Sequence, residues 1–206
     1  MLTLRTRTAV ADGKTVRLAT PAALLIVCSL TAAGPAAARP AADPYAALLA
    51  PAGTCASDTG LGLSQRAASR TMLCLTNYAR VHAGLPPLKP APSLQRAGRA
   101  KLAADISCNE FSHTPCGKPF SVVFAPYLAG ARGYQIGENI AWGTGDYGSA
   151  RETMSEWLNS TGHRKNILTA AFRNLGVGYL PGQTFQGSDG ATLWSLEFGA
   201  RNSTRR

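Results

Sequence analysis

Ser155-Glu156-Trp157-Leu158-Asn159-Ser160-Thr161-Gly162-His163-Arg164-Lys165-Asn166-Ile167-Leu168 is the stretch on which the reading of this chain turns. It begins on an amphipathic helix. Met154, Trp157, Leu158 and Thr161 fall at helical spacing on one apolar stripe, with Glu156 on the far side. Upstream, Ser149-Ala150-Arg151-Glu152 fits the Ser-x-x-Glu capping box, which starts the helix and gives Glu152 a structural role. Gly162 reads as the stop, because glycine takes the left-handed geometry of a helix end at little cost. His163 is then the first residue past that stop, with a fixed direction. Two other segments look built to meet it, Phe111-Ser112-His113-Thr114-Pro115-Cys116-Gly117 and Gly137-Glu138-Asn139-Ile140-Ala141-Trp142-Gly143.

The second of these lies in an alternating stretch, residues 134–142. At period two, Tyr134, Ile136, Glu138, Ile140 and Trp142 project to one face of a strand. Glu138 is then a lone carboxylate in an apolar row. An unpaired buried carboxylate is costly, so it must protonate, reach water or find a cationic or metal partner. The competing reading is a bulge at Gly137 that turns Glu138 to solvent.

Outward from these motifs, the chain of 206 residues carries a net charge of +10. Residues 1–38 read as a secretory signal: a basic start (Arg5, Arg7, Lys14, Arg17), an apolar run over 22–33 too short for a stable span, and Ala36-Ala37-Ala38 as a cleavage pattern. Cleavage there leaves 168 residues with 17 Lys/Arg against 10 Asp/Glu and no transmembrane span. That balance suits an anionic wall polymer or lipid headgroups. The charges are scattered and not interleaved with aromatics, which argues against a specific nucleic-acid partner.

Four cysteines remain, Cys55, Cys74, Cys108 and Cys116, and an even count in an exported chain points to disulfides. Three pairings are possible. The expected one is Cys55–Cys74 with Cys108–Cys116, the latter closing a short loop around His113. A Cys/His zinc site lacks any Cys-x-x-Cys spacing.

Residues 39–62, rich in Ala, Pro and Gly, read as a partly ordered lead-in to a domain over 63–200, with a mobile basic tail at 201–206. A helix is expected over 63–82, its stripe carried by Ala68, Met72, Leu75 and Ala79. A second should begin after Ser93 as N-cap and carry Leu94, Ala97 and Leu102. His82, at the polar end of the first helix, reads as solvated. A short helix is expected within 119–128. Strands are expected over 174–180 and 192–199, joined by a polar loop at 181–190. Gly176 and Gly178 alternate in the first of these, which suggests close backbone approach. In the second, Trp194, Leu196 and Phe198 are expected inward, with Ser195 and Glu197 outward.

Taken together, Phe111-Ser112-His113, Gly137-Glu138-Asn139-Ile140-Ala141, Trp157-Leu158-Asn159-Ser160-Thr161-Gly162-His163-Arg164 and Trp194-Ser195-Leu196-Glu197-Phe198-Gly199 resemble, in order and spacing, the CAP superfamily. This is the cysteine-rich secretory, antigen 5 and pathogenesis-related 1 group, or SCP domains. Leu75-Thr76-Asn77-Tyr78-Ala79-Arg80 and Gly84-Leu85-Pro86-Pro87-Leu88 are similar to its first-helix signature, and Gly-His-Arg-x-Asn-Ile-Leu resembles the bacterial exported branch. The resemblance implies an α+β fold, a three-layer α-β-α sandwich with a small, mostly antiparallel central sheet. It also implies a cleft lined by two His and two acidic residues, which binds zinc in some members. Carried onto this chain, the pair is His113 and His163, the metal candidates, and one acid is Glu138. At the place of the second acid stands Ser160, with Glu156 one turn earlier as a substitute.

A catalytic zinc takes three protein ligands and an open position, so the two His need a third donor. Glu138 could be that ligand, a base for bound water, or a partner fixing a His tautomer. The first reading is a secreted binding module, expected to be monomeric, for a divalent metal, a lipid or sterol, or a cell-wall component; the resemblance implies sterol or lipid binding in some members. The alternative is a zinc-dependent hydrolase of peptide or wall material with Glu138 as base. It lacks the His-Glu-x-x-His helix. A serine hydrolase lacks the Gly-x-Ser-x-Gly elbow.

Overall fold

The computed structural model describes residues 45–203. The expected signal at 1–38, the first residues of the lead-in and the end of the tail lie outside the described residues. Five helices, α1 (Gln65–His82), α2 (Pro92–Cys108), α3 (Ala125–Leu128), α4 (Ala150–Asn159) and α5 (Thr161–Ile167), pack around a four-stranded sheet. Its strands are β1 (Lys89–Pro90), β2 (Ala131–Gly143), β3 (Asn174–Phe185) and β4 (Ser188–Ser203), in the order β1-β3-β4-β2. Only β1 and β3 run parallel; β3–β4 and β4–β2 are antiparallel. This is the expected three-layer α+β sandwich. No described helix is long and apolar enough to cross a membrane.

One sheet face carries the main core. Leu175, Val177 and Tyr179 of β3 and Trp194, Leu196 and Phe198 of β4 pack on Ala68, Met72, Leu75 and Ala79 of α1 and on Met154, Trp157 and Leu158 of α4. The α1 stripe is the one its spacing gave. Ser64 caps α1 by accepting from the Ala67 N–H, and Ser149 caps α4 by accepting from the Glu152 N–H. Arg80, wholly buried, ties α1 to the end of α5 by donating to the carbonyls of Ile167 (2.7 Å) and Thr169 (3.0 Å).

The opposite face is covered by α2, which corrects the expectation that Ser195 and Glu197 point outward: both are fully buried. Glycine makes this possible. A methyl group placed on Gly176 would lie 2.0 Å from the Leu94 carbonyl carbon, and one on Gly178 would lie 2.5 Å from that of Gly98. Three glycines thus let helix and sheet backbones touch, in line with the expected close approach.

Several boundaries differ from the sequence reading. The helix through Trp157 ends at Asn159, not Gly162. Ser160 is extended (φ −91°, ψ 122°), and a new helix, α5, starts at Thr161. Gly162 and His163 therefore lie in the first turn of α5. Asn159, Ser160 and Thr161 are weak helix formers whose side chains compete for backbone groups, which favours a break between helices. Helix α2 starts at Pro92, with Ala91 as N-cap, so Ser93 sits inside it. Proline suits a first helical position, where no N–H is needed.

The loop expected at 181–190 is instead strand, with a tight turn at Gln186 (φ 51°) and Gly187 (φ 75°). Both are left-handed, as a two-residue hairpin turn requires. Strand β4 also runs on to Ser203, past the expected end of the domain, and Arg201 stacks over the Tyr127 ring at 4.8 Å. The described part of the lead-in is likewise tied down. Ala50 and Cys55 are buried in the core, and Arg151 donates to the Ala50 carbonyl. The disulfides are Cys55–Cys74 and Cys108–Cys116, with Cα atoms 5.8 and 5.7 Å apart.

Candidate functional site

Strand β2 is a sheet edge, and the site is built along it. The ladder with β4 is regular from Gly133 to Gly143, and its irregularity falls between Ala131 and Gly133. Gly137 therefore carries no bulge; it admits the Phe172 ring, which would lie 2.9 Å from an added methyl group. Glu138 stays on the inner face, 4% exposed, as the alternation required.

The α2-side face of the sheet reads in bands. Ile136 packs with Leu94, Phe124 and Tyr127, while Trp142 packs with Leu102, Phe185 and Leu193. Between these apolar bands lie Glu138 of β2, Ser195 and Glu197 of β4, and Lys101 and Asp105 of α2, all buried. The Lys101 ammonium donates to both Asp105 oxygens (2.6 and 2.8 Å) and to the Ser112 carbonyl. The last bond holds the segment that carries His113. Burial raises Asp105 to about 6, against the opposing pull of Lys101.

His113 is reached from this cluster. Its Nδ1 lies 2.6 Å from Glu138 Oε1, the carboxylate buried and the imidazole 55% exposed. A carboxylate only accepts, so Nδ1 carries the proton and Nε2 is left for the cleft. The loop is closed at its base by Cys108–Cys116, and Glu110 accepts from the Cys116 N–H (3.0 Å). Phe120 stands edge-on to the ring at 6.4 Å. Beside it a narrow pocket is lined by Lys101, Ala104, His113, Lys118, Phe120, Val122 and Val123, with Pro115 and Pro119.

His163 arrives from the other side of the β2 edge on α5. The Asn139 side chain donates to the His163 carbonyl (3.0 Å). Asn166 donates to Asn139 Oδ1 (2.9 Å) and to the Glu138 carbonyl (3.0 Å). This clamp fixes α5 against β2. The ring of His163 packs near Trp157, at 6.3 Å. Burial, and then the neighbouring His113, lower its pKa, so His163 resists protonation.

The structure thus brings His113, Glu138 and His163 to one edge. Ser160 is half-buried at the junction of α4 and α5, and Glu156 stays exposed on α4. The second buried acid near Glu138 is instead Glu197, directly opposite it in the ladder. Zinc would need three protein ligands. Among the described residues, no three His, Cys, Asp or Glu side chains converge to hold a metal, and Glu138 already engages His113. The described residues do not complete a zinc site. The sequence reading also missed the Asn139–Asn166 clamp and the Lys101–Asp105 pair. The second had a signal, an i,i+4 ion pair on a helix, but such pairs are ordinarily solvated.

Comparison with known proteins agrees with this architecture. Residues 73–198, more than half of the chain, match the model of the cysteine-rich secretory protein family, CAP. An uncharacterized protein of Bacillus subtilis (strain 168), YkwD, is 33% identical over 164 residues. That match covers 78% of this chain but 58% of the relative, so the chain spans somewhat over half of that protein's length. Among solved structures, an extracellular protein with an SCP domain from Bacillus anthracis shares 25% identity at a TM-score of 0.50, covering 65% of this chain and 40% of that one. An outer surface protein of Borrelia burgdorferi, 16% identical, superposes at a TM-score of 0.56 over 68% of this chain and 97% of that one. From the family match over residues 73–198, with a fold that agrees, the chain belongs to the cysteine-rich secretory protein (CAP) family.

Proposed function

We propose that this is an exported binding domain whose cleft at His113 takes an amphiphile of the lipid or sterol class. The observation that carries this reading is the lining of the pocket beside His113. One imidazole and the ammonium of exposed Lys118 stand next to Phe120, Val122 and Val123, and Val122 is 49% exposed. The pocket itself holds only about 20 Å³, so the ligand would lie along this apolar wall at the surface, with its polar head at the few convergent polar groups. The polar head would meet His113 and Lys118, and the apolar body would lie along the phenylalanine and valines. The extracellular and outer-surface descriptions of the similar structures support export.

The test is binding of a fluorescent fatty acid and a fluorescent sterol by the oxidised chain, compared with His113→Ala and Val122→Asp. Saturable binding weakened by both substitutions is expected. Binding no better than to an unrelated basic protein, or unaffected by either change, overturns the proposal.

A second reading, hydrolysis, is favoured by the 2.6 Å bond between His113 and Glu138, since a base oriented by a buried acid is a common catalytic pairing. It requires turnover of a peptide or peptidoglycan fragment that Glu138→Gln abolishes. No turnover across such a panel rejects it.

A further inference from the structure

Glu197 is a carboxyl in the interior of the sheet, where a charged group is costly without a partner. It is wholly buried, and neither carboxyl oxygen has a hydrogen-bond partner by strict geometry. It interacts with Glu138 and Ser195 and feels the charge of Lys101. Glu138 Oε2 and Ser195 Oγ are also buried without partners. Four orphan oxygens therefore share one small volume.

The ladder places the two acids close. The Glu138 carbonyl accepts from Asn166 and the Ile140 carbonyl from the Trp157 indole, so both face away from β4. Glu138 and Glu197 are thus a non-hydrogen-bonded cross-strand pair, with Cα atoms about 4.5 Å apart and side chains on one face. Two ionised carboxylates so placed repel strongly in a low dielectric.

The charged groups around them are few. From α2 come Lys101, engaged with Asp105, and Asp105 itself; from the 109–117 loop comes His113, engaged with Glu138. Beside Glu197, β3 offers only Gly176 and Gly178, and β4 offers the Ser195 hydroxyl. Glu138 has a cationic or N–H partner in His113, and Glu197 has none. The proton belongs on Glu197.

We infer that Glu197 is a positioning residue for the cleft: its carboxyl O–H donates to Glu138 Oε2, leaving Glu138 an ionised acceptor that orients His113. Burial first, and Glu138 second, push the Glu197 carboxyl well above the usual range, which is the direction this arrangement requires. The inference rests on the proposed role of His113 but is tested without any ligand.

The experiment compares wild type, Glu197→Gln and Glu197→Leu in thermal unfolding between pH 6 and 9, with the His113 ring nitrogens followed by NMR. A glutamine amide can donate where the carboxyl O–H did, so Glu197→Gln should leave the His113 signals in place. Leucine removes the donor and should shift them. A carboxyl raised in the folded state contributes stability at low pH that is lost as pH rises toward its folded pKa. Between the unfolded carboxyl range and the folded pKa, the unfolding equilibrium of wild type should therefore grow relative to Glu197→Gln by up to about ten-fold per pH unit, levelling off once the folded pKa is passed. If leucine does not fold, the glutamine comparison still decides. A pH-independent difference between wild type and Glu197→Gln overturns the inference, as does a His113 signal that glutamine moves. Failure of fatty acid or sterol binding by wild type would reject the ligand reading and leave this result standing.

Discussion

Replacing Asn166 with alanine should detach α5 from the sheet edge without touching the apolar core. The Asn166 amide nitrogen donates at 3.0 Å to the Glu138 carbonyl and at 2.9 Å to Asn139 Oδ1. Two net hydrogen bonds amount to about 2 kcal/mol, and a stranded acceptor adds about 1–3 kcal/mol where water cannot replace the donor. Asn166 is half-buried, so water will reach part of the gap, and the expected loss is about 2–4 kcal/mol. For a domain of this size that corresponds to a fall of roughly 4–16 °C in Tm. Asn166→Asp should do at least as much harm, because it sets a carboxylate against two acceptors. Urea unfolding of the oxidised chain measures the change, and hydrogen exchange should show α5 amides losing protection before those of β4. A loss under about 0.5 kcal/mol for both variants, the range of ordinary surface changes, would refute the clamp.

Three further outcomes follow from the same geometry. Gly176→Ala places a methyl group 2.0 Å from the Leu94 carbonyl carbon and 2.2 Å from the Gln95 nitrogen, both backbone; α2 must move, and a loss of at least about 3 kcal/mol is expected in chemical denaturation. Both half-cystines of Cys108–Cys116 are exposed whereas Cys55 is buried, so limited reduction followed by mass spectrometry should open the loop bridge first. Loss of that short loop closure should lower stability by about 2–3 kcal/mol, read by urea unfolding of Cys108→Ser/Cys116→Ser. Burial holds His163 below its ordinary value. The stability it contributes is present above the unfolded histidine range and lost as pH falls through its folded pKa, so His163→Asn should flatten the acid limb of a Tm–pH profile recorded from pH 7 downward.

Much of the fold was legible because local chemistry and global packing agree. The Ser149–Glu152 capping box, the α1 stripe and the close approach at Gly176 and Gly178 all appear where the sequence puts them. Three features were not legible, for separate reasons. The break at Ser160 depends on α5 docking through Asn166, a tertiary event that a glycine-stop rule does not register. The hairpin extends because Phe185 is buried against Trp142, a contact between strands far apart in sequence. The burial of Glu197 was missed because alternation was read as one dry face and one wet face, whereas this sheet is covered on both. The clue was nonetheless available. Gly176 and Gly178 pair with Glu197 and Ser195 in the ladder, so a backbone packed on those glycines must also cover those side chains.

Central to this account is a buried, ionised Glu138 that fixes the His113 imidazole at the mouth of the cleft. The most direct measurement is the protonation of the His113 ring nitrogens by 15N NMR in the oxidised, ligand-free chain, with Glu138→Ala as control. The account predicts a proton on Nδ1 whether the ring is neutral or charged, and loss of that preference in the alanine variant. A neutral ring protonated on Nε2 in wild type, or signals indifferent to the loss of Glu138, would contradict it.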